Sequence, residues 1–350
     1  MEEASTTMSK HLKIVALIAA LGVTPALAQE GPLKVSSWGG SWRDMIAETI
    51  GKKFTEETGV EVEYLTGGTI DRLNRAKLAK GDPESDITFT TSHVGWLYQN
   101  DGLYEELDLS KIPNAANLFP EAIISPGHIG TWSYVYTIAV RPDLLPEGVT
   151  ITSWADLWKP ELEGTIGLPD FDPSHIIAAS AILEGSDPEH WEAGQEKLLA
   201  LKPNIKAFYT NDANSQQLIG TGETPVQVLL SMNGHFMKSE GVPIDIIIPK
   251  EGAVIGIDTI GIMAGTKNLD LAYKFINAAL DPEVQAEIVR SKKGGPAVSN
   301  ANVDPELAAL PGVLTTAEQW QNEAIVIDHK LRAEKLAEWR QWFTENMIAQ

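Results

Sequence analysis

Apolar positions along this chain switch repeatedly between a strand period and a helix period. Leu33–Trp38 reads as a short strand, and Trp42, Met45, Ile46, Ile50 and Phe54 follow at helical spacing until Gly59, which predicts a C-cap. Val60, Val62 and Tyr64 alternate with charged neighbours, the signal of a half-buried strand. The same reading predicts helices over 70–80 and 92–99 and strands over 86–90 and 132–140. The pattern then restarts. Ser153 and Asp156 match a capping box, and strands over 164–169, 205–210, 226–232, 244–249 and 254–263 alternate with helices over 174–184, 188–201, 269–280 and 282–291. Residues 316–350, with Trp320, Trp339 and Trp342, read as one long helical tail. Strands alternating with helices predict an α/β fold with largely parallel sheets.

At 350 residues the natural expectation is two domains. The first 28 residues are expected to be a cleavable export signal. Lys10 and Lys13 precede an apolar run over 14–23, and Ala26-Leu27-Ala28 gives a small-x-small cleavage pattern. As a helix that run spans about 15 Å, half of a bilayer core of roughly 30 Å, which argues against an anchor. A periplasmic protein is therefore expected, and with no cysteine it uses no disulfide. The net charge of −21 is the wrong sign for a nucleic-acid surface.

The sequence has no G-x-S-x-G elbow, no P-loop and no H-E-x-x-H, and thiol catalysis is excluded, so no enzyme and no cofactor is expected. Asp170-Phe171-Asp172 with His175 reads as capping or ligand contact rather than a metal site. Open α/β sheets bind ligands beyond the carboxyl ends of their strands. Four segments place notable residues there: Trp38-Gly39-Gly40-Ser41, Thr91-Ser92-His93, Asp170-Phe171-Asp172 and Gly256-Ile257-Asp258-Thr259. The first offers an aromatic face for a cation and backbone N–H groups at a helix start. Asp258 interrupts an apolar strand, so its carboxylate needs either an ammonium ligand or nearby backbone and hydroxyl donors.

These residues carry a resemblance. LKVSSWGG, FTEETGVEVEY, SWADLWKPELEGTIGL, IPKEGAVIGIDTIGIM and FINAALDPEVQAEI followed by GGPAVSN, spread over residues 33–300, resemble the spermidine/putrescine-binding family of ABC-transporter solute receptors. The resemblance implies a type II periplasmic binding protein fold with a ligand cleft between two lobes joined by crossing strands near Ala139–Arg141 and Val254–Ile257. Residues 29–139 with 256–304 would form lobe 1, and residues 140–255 with 305–350 lobe 2. It implies a monomeric receptor that hands a small amine to a membrane permease and its ATPase. Trp38 and Asp258 match the family's cleft residues. Asp170 and Asp172 match its acidic turn approximately, and Thr91 and His93 align with its cleft Ser and Tyr. With Gly39, Ser41, Ser92, Tyr134 and Met232 they complete the expected ligand site. Ser41, Met232, Gly256 and Gly295 stand where polyamine binders tend to carry Tyr or Trp. The expected ligand is therefore a smaller or zwitterionic amine, such as an amino acid-like compound, with Tyr134 and Tyr136 as either replacement walls or plain strand packing. A ferric receptor using Tyr134, Tyr136 and His93 is the alternative.

Overall fold

The computed structural model describes residues 31–349, so the expected export signal lies outside the described residues. From Pro32 onward the chain forms one compact unit. Among the described residues twelve strands join into one sheet, and eight of them position the site. These are β1 (Leu33–Ser37), β2 (Val62–Thr66), β3 (Ile87–Thr91), β4 (His128–Val140), β5 (Ile166–Pro169), β6 (Ile205–Tyr209), β7 (Val226–Leu230) and β8 (Ala253–Ile262). Their spatial order is β2-β1-β3-β8-β4-β7-β5-β6.

The ends of this order are parallel and its middle is antiparallel. β1 runs parallel to β2 and β3 in one wing, and β5 parallel to β6 and β7 in the other. Between them β8 pairs antiparallel with β3 and β4, and β4 antiparallel with β7. The long β4 changes partners along its length. His128–Tyr136 pairs with β8, and Tyr136–Val140 pairs with β7. The transfer is centred on Tyr136, ahead of the Ala139–Arg141 segment expected from sequence, because β7 already pairs at Leu230↔Tyr136. On β8, Ala253–Val254 and Asp258–Ile262 use different neighbours.

The wings are built as their patterns require. β8 is buried from end to end, as a strand covered on both faces must be. Behind the first wing Phe54 packs edge-on against Phe275, ring centroids 5.4 Å apart. Each such fully buried ring contributes roughly 1.5–3 kcal/mol. Gly59 does cap its helix in the left-handed conformation, with φ 72°.

Two expected helices are broken. Residues 188–201 form a 3-10 segment, Pro188–Gly194, with His190 non-helical, and then a short helix, Gln195–Ala200. The tail is not one helix. Ala317–Glu323 ends in a two-residue strand, Ala324–Ile325, which pairs parallel with Ala253–Val254 of β8. Helix His329–Phe343 then starts afresh on Asp328, whose side chain accepts from Leu331 N. The β-branched run Ile325-Val326-Ile327 followed by an N-cap Asp favours a strand and a new start over a continuous helix.

Candidate functional site

At the strand ends lies a cavity of about 340 Å³. Both wings contribute to it. From the first come Trp38, Trp42, Thr69, Thr91 and Asp258, and from the second Phe171, Thr210, Asn211, Asp212, Leu230 and Met232. Tyr134 and Tyr136 enter from the crossing strand.

The Trp38-Gly39-Gly40-Ser41-Trp42 turn explains itself here. β1 ends at Ser37 and a helix opens at Ser41, with Gly40 between them at φ 60°, ψ −140°. That region of backbone space is essentially closed to residues bearing a Cβ. The tight reversal brings two indoles to one cavity. Trp38 Nε1 donates to Thr69 Oγ1 at 2.9 Å, which fixes its ring. Trp42 stacks on Trp132 at 5.8 Å, and Trp132 on Phe89 at 5.7 Å, so the wall is backed by core. Arg72, buried and held by the Phe89 and Gly67 carbonyls, sits 5.2 Å from the Trp38 ring centroid.

Asp258 lies at a bulge. β8 pairs Asp258 with Trp132 but Thr259 with Gly130, which leaves Thr131 extra, and Thr131 Oγ1 donates to the Asp258 carbonyl. Bulges of this kind re-aim a side chain. The Asp258 carboxylate accepts one hydrogen bond from Trp132 Nε1 at 2.8 Å. Burial pushes its pKa up to about 7, against the pull of Trp132 and of Arg72. Asp212 is the second acid. It opens helix Asp212–Thr221 behind the Asn211 cap, where the helix dipole favours an anion. Burial nevertheless raises its pKa above the ordinary carboxylate value. No Lys or Arg lines this cavity among the described residues. Two carboxylates, each partly desolvated and one from each wing, therefore face aromatic walls without a counterion.

The residues expected from sequence divide into groups. Trp38, Thr91, Tyr134, Met232 and Asp258 meet at this cavity. Gly39 is exposed in the turn, and Ser41 faces a neighbouring cavity. Ser92, His93 and Asp172 lie in a buried polar network instead. Asp172 pairs with Arg332 of the C-terminal helix and accepts from Ser174 N and Oγ. Burial opposes ionisation of Asp172, but the Arg332 charge and the Ser174 hydrogen bonds hold it well below the usual carboxylate range. Arg332 also reaches His175 Nε2 at 3.0 Å, and His175 stacks on Tyr136 at 3.7 Å. Ser92 Oγ meets His329 Nδ1 at 2.9 Å. Burial lowers the pKa of His93 to about 3, so it stays neutral. Asp170 is only partly buried, and the cavity receives Phe171 from this turn rather than either acid.

Sequence reasoning missed Trp42, Thr69, Phe171, Thr210, Asn211, Asp212 and Leu230. Asp212 follows the carboxyl end of β6 at a helix start, the position that marked the other candidates, so the signal was present. Tyr134 and Tyr136, replacement walls or plain strand packing by sequence, both line this cavity. A Cβ on Gly256 would lie 2.2 Å from the Tyr134 ring, and the two residues are paired across the strands. The glycine makes room for a tyrosine supplied by the opposite strand. Gly256→Ala is accordingly expected to displace Tyr134 and cost about 1–3 kcal/mol of stability. Urea denaturation measures this, and an unchanged midpoint would mean that the ring relocates freely.

The ferric alternative gains nothing. Burial pushes both phenols, Tyr134 and Tyr136, well above their ordinary pKa, which opposes the phenolate a ferric ion requires, and His93 is turned toward Thr91.

Two α/β lobes sharing crossing strands around an aromatic and acidic cleft define a receptor that binds a small solute, the type II periplasmic binding protein fold. Similarity to known proteins agrees. The chain belongs to the bacterial extracellular solute-binding proteins, whose family model matches residues 49–315. It is 28% identical over 334 residues to the spermidine/putrescine-binding periplasmic protein of Salmonella typhimurium, covering 90% of this chain and 93% of that one. It is 30% identical over 275 residues to the putrescine-binding periplasmic protein PotF of Escherichia coli, covering 71% of this chain and 74% of that one. A crystal structure described as an ABC transporter from Clostridium perfringens superposes with a TM-score of 0.78 at 29% identity, over 90% of this chain and 99% of that one. The protein is thus a solute-binding receptor of the ABC-transporter class, and not an enzyme.

Proposed function

We propose that this receptor captures a small primary amine in the cleft and delivers it to its permease. One observation carries the reading: Asp258 and Asp212 face a cavity walled by Trp38, Trp42, Tyr134, Tyr136 and Phe171, with no cationic side chain lining it among the described residues. A desolvated carboxylate pair favours a cation, and indole and phenol faces attract an ammonium group and cover its methylenes. The names of the Salmonella and Escherichia relatives, polyamine and putrescine binders, support the same class. The two wings, joined through β4 and β8, act as the two lobes and close on the ligand as a monomer. The mature chain begins at Gln29, after export and cleavage behind Ala28.

Proton linkage tests this reading. An ammonium group pins Asp258 ionised, whereas the empty site holds it half-protonated near pH 7. Amine affinity is therefore expected to rise with pH up to about 7.5 and then level off. Binding at pH 6 should be roughly tenfold weaker than at pH 8, with proton uptake by buffer on binding at the lower pH. Calorimetric titration of residues 29–350 with putrescine, cadaverine and alkylamines checks it. A flat pH profile, or no amine binding at pH 8, overturns the reading.

A further inference from the structure

A second cavity of about 230 Å³ adjoins the first, and Trp42 and Met232 line both. Its chemistry is opposite in sign. Lys292, at the end of helix Pro282–Lys292, lines it with Ser41 and Asn233. Lys292 Nζ donates to Ser41 Oγ at 3.0 Å and lies 4.5 Å from the Trp42 ring centroid. Among the described residues no carboxylate stands within ion-pair distance of Lys292. The nearby Asp44 is paired with Arg43 at 2.6 Å. The amide nitrogen of Asn233 is buried, and the same side chain also lies against Asp212, whose pKa it draws down against burial. Lys293, which also lines this cavity, has its ammonium group committed to the Arg290 carbonyl at 2.7 Å. An ammonium group, an amide N–H and a serine hydroxyl thus surround a space without an acidic lining residue, one indole away from two carboxylates that lack a cation.

We propose that the two cavities are the two ends of one binding site, and that the solute is a linear amino carboxylate. Its ammonium end sits with Asp258 and Asp212, its methylenes cross Trp42 and Met232, and its carboxylate is received by Lys292, Ser41 and Asn233. This rests on the amine reading above and narrows it. A diamine long enough to cross Trp42 would bring its second ammonium against Lys292, which like-charge repulsion opposes. A carboxylate there gives the half-buried lysine the counterion it lacks.

Calorimetry on residues 29–350 at pH 8 separates the possibilities, using 4-aminobutanoate, 5-aminopentanoate and 6-aminohexanoate beside alkylamines and diamines of equal length. The wild-type receptor is expected to bind the best amino carboxylate at least tenfold tighter than the matching alkylamine. Lys292→Met keeps the aliphatic stem on Trp42 and should remove that advantage, leaving the alkylamine within about twofold. Lys292→Arg should retain most of it, which shows that the charge and not folding is at issue. A preference for diamines, or an amino carboxylate affinity untouched by Lys292→Met, overturns the proposal while alkylamine binding leaves the amine reading standing. No binding of any amine overturns both.

Discussion

Asp258→Asn is expected to weaken amine binding at least thirtyfold and, in the same variant, to stabilise the empty receptor at pH 8. The binding loss follows from removing one member of a desolvated charge pair, a change that typically costs 2–5 kcal/mol. The gain in stability follows from the pKa. An ordinary aspartate carboxyl titrates at 3.8, and burial pushes that of Asp258 up to about 7. Below about pH 4 it is protonated in both folded and unfolded chains, and it then costs nothing. Between pH 4 and 7 the unfolded chain releases its proton and the folded one does not. Above pH 7 the folded state carries the full penalty of a buried anion, on the order of 4 kcal/mol for about three units. The amide keeps an acceptor for Trp132 Nε1 and removes the charge. Thermal denaturation of the ligand-free protein at pH 5 and pH 8 should show the variant gaining far more at the higher pH. Equal amine affinity in the variant would leave Asp258 with a purely structural role. Such an exchange of stability for function is a common property of binding sites.

The second large effect lies outside the cavity. Arg332→Met is expected to destabilise the protein by about 3–5 kcal/mol, because it leaves Asp172 ionised, buried and without its cation. The Asp172→Asn/Arg332→Met double variant should recover much of that loss, since neither charge then remains. Urea denaturation of the four proteins forms the cycle, and additive losses would show that the two groups do not act as a pair. The consequence reaches the ligand. Arg332 contacts His175, which stacks on Tyr136, and Tyr136 walls the cavity. The C-terminal helix therefore supports the site from behind, and Arg332→Met should weaken amine binding as well as folding.

What the sequence made legible depended on whether the informative residues lay close together. The Trp38–Trp42 turn could be read because strand, glycines and helix start are contiguous. Asp258 could be read because a lone acid in an apolar strand contradicts its surroundings. Asp212 was concealed by ordinary company: Asn211, Asp212 and Asn214 look like any polar helix start, and only the fold shows that this start faces Asp258 across a cavity. Asp172, read as a cap or a ligand contact, does accept from Ser174 at a helix start, but its ion pair was hidden. Its partner Arg332 is 160 positions away, and no local pattern announces a pairing at that distance. The aromatic walls were lost and regained on different strands. Gly256 reads as a deletion along β8 and becomes an accommodation only once register sets it opposite Tyr134. The broken tail carried its own signal in Ile325-Val326-Ile327-Asp328, outweighed by the helical spacing on either side.

The partner exchange along β4 and β8 also bears on how the chain folds. β3 cannot gain its inner neighbour until β8 has been made, and the hydrogen bond from Thr259 to the Thr90 carbonyl closes a loop of 169 positions. Contacts of such separation form slowly, since chain entropy is lost before they return any energy. A ribosome must therefore extend the polypeptide beyond Ile262 before the first wing has a complete sheet. Until then the edge of β3 that faces β8 lacks its hydrogen-bonding partner.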